Sequence, residues 1–473
     1  MPSKMLGERR RKISLPQAIG YSIALLAPTA SMALNTSLAA SMAGRAVPLV
    51  MFGSLVGVLL MAVPFIKFTR ERVHAGSIYG FNSSVLGTSA GFISGWVLLL
   101  SYLGFSLGGI GLIGDFGQAV FAQLGYSIPW AIPALIGTII AYFLVIRDIR
   151  VSTNLALILE GLAVLAMIVL SIVILSRGGE TGHLTILPFI PGSKGIGGVA
   201  FAMVFGFLSY FGFDVAATIG EETENPRRNI PLAIISNLIL AGILYVFISY
   251  AQTVGFGLAP KDIATFAQSS APLGYLAAHY MGIPMAVAID IGALISGFAA
   301  TMAGIQAASR ILFALSRDGV LLPSLGQVHE RFGTPFRATT VVTLFGLIIM
   351  LIPSPWNSAA NMFGYAGTIG VLGFLVSYGL TSISDFIQEF RRRGAWRGLV
   401  TGIVSILALV IILVTLYANV FPVPPMPYAV LPYITLAWII FGAFLLFRKP
   451  SLRDDLSRAL AAHEEQVSHR IQG

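Results

Sequence analysis

The residues best placed to do chemistry in this chain are the few ionisable side chains inside its long apolar runs. Hydrocarbon makes an unsolvated charge costly, so such residues are candidates for function by default. Glu160 stands in TNLALILEGLAVL, about two turns into one such run, and that run holds no lysine to neutralise it. A carboxyl there suits two roles: carrying a proton, or hydrogen-bonding one helix to its neighbour. Asp115 and Asp290 lie toward the outer ends of two other apolar runs. A carboxylate in that position either draws in a cation or pairs at the interface. A third acidic feature follows the cluster Gly206, Phe207, Ser209, Tyr210, Phe211, Gly212 and Phe213. Asp214 comes directly after it, then Glu221, Glu222 and Glu224. With Arg310 or Arg317 these carboxylates could form either an ion-pair gate or a static cluster. His74, His183, His279 and His329 show no ligand-like spacing, and there is no cysteine, so neither a metal site nor thiol chemistry is expected. The glycines of GGIGLIGDFG fall inside an apolar run, where close helix packing explains them better than a nucleotide. No nucleophile elbow, phosphate loop or paired catalytic carboxylate stands out. The sequence therefore predicts no cofactor and no enzyme.

The elements that hold these residues are membrane helices. The chain has 473 residues, 56% hydrophobic and 10% charged, against roughly 25% charged in soluble proteins. The apolar runs predict about twelve bilayer-spanning helices, the first over 16–43 and the last over 429–447. The formal charge of +9 is no nucleic-acid signature. Its basic residues gather in alternate loops, as in a polytopic membrane protein, and acidic lipid headgroups are their natural partner. Placing Lys4, Arg9, Arg10, Arg11 and Lys12 in the cytoplasm puts most other basic residues there too, with both termini inside.

Two of the predicted spans are interrupted. In the first, Pro28 sits mid-run ahead of Thr29, Ala30, Ser31 and Met32. Proline removes a helical hydrogen bond and disfavours helix for the residue before it, so a kink is expected near Ala27 to Met32. In the sixth, Gly206 and Gly212 flank the aromatic cluster. Backbone groups freed at membrane depth must face protein or a cavity, and there they can hold a polar ligand. The plainer alternative is a proline kink in one helix and close-packing glycines in the other. Interruptions in the first helix of each of two five-helix sets point to an inverted-repeat transporter.

Three motifs occur together: AGSIYGFNSSVLGTSAGFISGWVLLLSYL, GEETENPRRNIP and ASRILFALSRDGVLLPSLGQVHERFGTPFRA. In this order the chain resembles the amino acid–polyamine–organocation (APC) family of permeases over its first nine spans. The resemblance implies an all-α, leucine-transporter-like fold: two inverted five-helix repeats, helices 1–5 and 6–10, plus two further helices, with helices 1 and 6 unwound at mid-membrane. The corresponding segments are a cytoplasmic 1–15, repeats over 16–176 and 177–386, helices 11 and 12 over 387–449, and a cytoplasmic tail over 450–473. It further implies that Thr29, Ala30, Ser31 and Met32 receive a substrate carboxylate. The usual Gly-Ser-Gly-type signature is absent there, and Ser31 is the stand-in. The carbonyls of Phe207 to Ser209 would receive an amino group, with Tyr210 or Phe211 as aromatic lids and Tyr102 nearby.

The sequence thus predicts a permease of the plasma (inner) membrane that moves an amino acid or related amine by alternating access. A proton-coupled symport through Glu160 is one form. An exchanger without proton coupling, or a permease for polyamines or cationic amino acids, is the alternative. The expected partners are a small-molecule substrate, protons and membrane lipids, with no nucleic acid.

Overall fold

The computed structural model describes residues 14–71, 77–147, 153–214, 223–317, 319, 321–329 and 332–448. Sixteen α-helices carry these residues. They are α1 (Leu15–Leu26), α2 (Pro28–Ala43), α3 (Val47–Glu71), α4 (Ser77–Leu86), α5 (Thr88–Gln123), α6 (Ala131–Ile146), α7 (Thr153–Ser176) and α8 (Gly195–Ser209). After these come α9 (Pro226–Phe256), α10 (Pro260–Gln268), α11 (Pro272–Met281), α12 (Ile283–Arg317), α13 (Phe336–Leu351), α14 (Ala359–Arg393), α15 (Ala395–Ala418) and α16 (Leu431–Arg448). Among the described residues, each apolar run picked out in the sequence carries at least one α-helix. Eight helices (α3, α5, α7, α9, α12, α14, α15 and α16) are long and apolar enough to cross a bilayer, and α6, α8 and α13 are shorter apolar helices. The first run is divided between α1 and α2, each shorter than a bilayer requires. The expected N-terminal segment and C-terminal tail lie almost wholly outside the described residues.

The centre of the fold is α5, packed along both α12 and α14. Lipid offers no hydrophobic drive for helices to associate, so tight membrane packing depends on small residues that let backbones meet. That is the pattern here. A Cβ on Gly104 would come within 2.7 Å of the Gly370 backbone in α14, and one on Gly304 of α12 within 2.9 Å of the Ser106 backbone in α5. Large apolar side chains instead face outward on the peripheral helices, as with Ile136 on α6, Leu162 on α7 and Ile440 on α16. They would face lipid.

Two polar ties hold outer elements to this centre. The Trp96 Nε1–H of α5 donates to the Trp438 carbonyl of α16, and the Trp438 Nε1–H donates back to the Trp96 carbonyl, each at 2.9 Å. The two rings stack at 4.7 Å. On another side, Lys67 of α3 pairs with Asp385 of α14 at 2.9 Å and with Glu389 at 3.5 Å, while the Ser405 hydroxyl of α15 donates to Asp385 at 2.6 Å. Three helices therefore share one carboxylate.

Replacing Trp438 with Ala removes the stacked ring and the bond it donates, at a cost of about 2 kcal/mol. Thermal unfolding in detergent is expected to show a clear fall in Tm. Tyr433→Ala, on an exposed face of the same helix, is expected to leave Tm almost unchanged.

Candidate functional site

The first interruption is a break at one residue. Ala27 has φ 45° and ψ 60°, the left-handed region that a residue with a Cβ rarely enters. Pro28 keeps Ala27 out of the helix, since proline disfavours helix for the residue before it, and is itself suited to the first helical position. Helix α2 starts at Pro28, so Thr29, Ala30, Ser31 and Met32 form its first turn. This corrects the expectation that all four are unwound. One residue suffices because proline both ends α1 and preorganises α2.

A new helix start leaves N–H groups without helical acceptors. The Thr29 N–H donates to Glu160 Oε1 of α7 at 2.9 Å, and the Thr29 hydroxyl donates to the same oxygen at 2.9 Å. The Ser296 hydroxyl of α12 donates to it at 3.2 Å and accepts from the Ala30 N–H at 3.3 Å. A buried carboxylate thus caps the positive end of α2, where the helix dipole favours an anion. The Ser31 hydroxyl turns back and donates to the Leu26 carbonyl at 3.2 Å, spanning the break. It is not placed as a free anion receptor. Beside this cap lies Tyr245 of α9, fully buried, within electrostatic reach of Glu160 and close to the Ser31 hydroxyl.

The second interruption starts later than expected. Phe207 and Ser209 remain helical, and α8 ends at Ser209. Tyr210, Phe211 and Gly212 form the turn, and Gly212, at φ 92°, takes a conformation that favours glycine. The Asn35 amide of α2 donates to the Ser209 hydroxyl at 2.8 Å, which donates to the Phe205 carbonyl at 3.0 Å. Phe211 meets Tyr102 edge-on at 5.3 Å and stacks on Phe105 at 4.9 Å. The Tyr102 hydroxyl donates to Asp214 Oδ2 at 3.4 Å. Tyr210 points away from these, donating to the Met51 carbonyl at 3.3 Å and packing against Tyr245. The ring of Phe207 lies against Gly57 of α3.

Thr29, Ala30 and Glu160 therefore meet at the first break, and Tyr102, Phe211 and Asp214 at the second. Met32 of α2 faces α9, its carbonyl accepting from the Gln252 amide at 3.0 Å. Asp214 is buried, Arg310 is exposed, and no ion pair joins them, so the expected gate contact is absent between these two. Glu221 and Glu222 lie outside the described residues. Asp115 and Asp290 are both buried and within electrostatic reach of one another, rather than lying singly at an interface. Ser296, Asn35, Gln252 and Tyr245 were not singled out in the sequence. Polar residues in apolar runs were the available signal, but hydroxyls and amides are too common in membrane helices to be selected without their partners.

A proline-broken helix capped by a buried carboxylate, beside a second helix that ends within the bundle, is the geometry expected of a membrane carrier. The chain matches the family described as amino acid permease over residues 13–444. It belongs to that family. The permease is a multi-pass membrane protein, and the resemblance to APC permeases holds. A branched-chain amino acid permease of Bacillus subtilis is 31% identical over 316 residues, which cover 62% of this chain and 65% of that relative's length. A low-affinity putrescine importer of Escherichia coli is 25% identical, covering 83% of this chain and 85% of the importer. A serine/threonine exchanger of Bacillus subtilis is 24% identical, covering 68% of this chain and 70% of the exchanger.

Truncating Glu160 to Ala leaves the Thr29 N–H and two hydroxyls without their acceptor, at about 1–3 kcal/mol. Glu160→Gln keeps an acceptor oxygen in place. Thermal unfolding in detergent is expected to show a larger fall in Tm for Ala than for Gln; equal and negligible shifts would remove Glu160 as the cap of α2.

Proposed function

We propose that this permease moves an amino acid or a related amine across the plasma (inner) membrane by alternating access, with substrate held at the two breaks. In this reading the chain crosses the membrane twelve times, as two inverted five-helix repeats plus two helices, with both termini in the cytoplasm. The transported ligand is small and is drawn from the chemistry that the relatives' names span, from branched-chain amino acids to a diamine. Tyr102 and Phe211 supply an aromatic wall, and the ends of α1 and α8 supply the polar contacts.

The observation that carries the reading is the cap at Glu160. One carboxylate oxygen receives hydrogen bonds from Thr29 of α2 and Ser296 of α12 while belonging to α7. A change of charge at that group alters the tie among three helices at once. A carrier needs such a two-state element, biased by what it binds. Glu160 is accordingly the coupling group, and the proton is the coupling ion. A second reading, exchange of one substrate for another without protons, draws on the similarity to a serine/threonine exchanger.

Purified permease in proteoliposomes, offered radiolabelled amino acids and polyamines under a proton gradient imposed in each direction, tests this. Accumulation driven by one direction of the gradient and lost in Glu160→Gln is the expected result. Uptake that requires preloaded substrate and ignores both gradients would replace proton coupling with exchange.

A further inference from the structure

We infer that Tyr428, on the segment between α15 and α16, is a stopper on the ligand path, its ring filling the seam where α2 and α8 meet α14. The inference rests on the transporter reading, which puts substrate at the two breaks. It adds the element that closes the outer approach to them.

The chain leads this ring inward from an exposed arm. Residues 419–430 connect α15 to α16, and Pro422, Pro424, Pro425 and Pro427 restrict φ along them, so the arm is stiff. Phe421, Val423 and Met426 on it are exposed, whereas Tyr428 packs against the core. The Tyr428 ring meets Phe201 and Phe205 of α8 edge-on at 6.1 and 6.0 Å, and Tyr365 of α14 at 5.3 Å. A Cβ on Gly364 of α14 would stand 2.6 Å from the Tyr428 hydroxyl oxygen and 3.4 Å from the Leu38 side chain of α2, so three helices converge on this ring. About one turn deeper, the Leu208 side chain of α8 lies against Gly367 of α14. Two of the three helices bear the breaks: α2 begins at the first and α8 ends at the second. The third, α14, is fixed to α5 by backbone contact between Gly104 and Gly370. The seam therefore divides the two broken helices from the centre of the fold, and opening along it requires the ring to withdraw. In the twelve-span reading, the far end of α2 and the segment between α15 and α16 lie on the same, outer side of the membrane. A tyrosine on a stiff arm suits the task, since it gives a large contact area with few rotatable bonds to order.

The chain has no cysteine, so a single introduced thiol can be followed alone. Leu208→Cys places one beneath the ring, and a membrane-impermeant maleimide is applied to intact cells and to inverted membrane vesicles. In this background Tyr428→Ala is expected to raise the labelling rate about tenfold from the cell exterior and to leave it unchanged from the cytoplasmic face. Tyr428→Phe keeps the ring and is expected to label at the parent rate. Pro425→Gly loosens the arm at an exposed position and is expected to raise exterior labelling about threefold, which keeps the test open if Tyr428→Ala does not fold. An exterior rate unchanged in whichever of these two variants folds, or an equal rise at both faces, overturns the stopper. Uptake of amino acids and polyamines by cells carrying the unaltered permease is measured alongside. Uptake without the labelling difference overturns the inference alone and leaves transport standing. A labelling difference with no uptake of any compound overturns the transporter reading and, with it, the place of Tyr428 on a ligand path.

Discussion

Pro28 takes a hydrogen bond out of a membrane-buried helix, and Glu160 puts hydrogen bonds back from another helix. In hydrocarbon no water can do this, and an N–H left bare would destabilise the fold by several kcal/mol in order of magnitude. The break at Ala27 is therefore tenable only with α7 and α12 in place around it. The dependence runs both ways. A carboxylate at that depth needs donors, and the start of α2 is the nearest dense set of them. Each feature would be unfavourable alone.

The second break is settled differently. Its polar groups are met by an amide, a hydroxyl and a tyrosine: Asn35 reaches Ser209, and Tyr102 reaches Asp214. Its apolar groups form a ring cluster in which Phe211 touches Tyr102, Phe105 and Phe374. Helix α5 contributes Tyr102 and Phe105 to this cluster while its glycines bring it into backbone contact with α12 and α14. The same helix thus sets the position of the aromatic wall and of Ser296, the residue that completes the Glu160 cap. A carrier whose site is assembled from rigid, closely packed helices can change state by moving those helices as bodies, since packed interfaces hold discrete arrangements and do not deform gradually.

The periphery follows a looser logic. Helix α16 is held to α5 by the paired tryptophans, and α3, α14 and α15 meet at Asp385. These ties involve partners far apart in the chain, as with Lys67 and Asp385, 318 residues apart. Nothing in the sequence joins them.

What the sequence determined by itself was whatever depends on local covalent geometry or on the bilayer. Apolar runs of spanning length had to be helices, since backbone groups in lipid must bond within the segment. Pro28 had to disturb the first of them, and the order of its motifs was enough to indicate the family. Glu160 could be singled out because a lone carboxyl in an apolar run is costly wherever it lies. The partners of Glu160, the single-residue break at Ala27 and the later end of α8 could not be read locally. Those outcomes depend on which donors arrive from other helices: Thr29 and Ser296 are 131 and 136 residues from Glu160 in the chain. Only the packing of α2, α7 and α12 brings them within hydrogen-bonding distance, and that packing decides which end of the broken helix an anion already occupies.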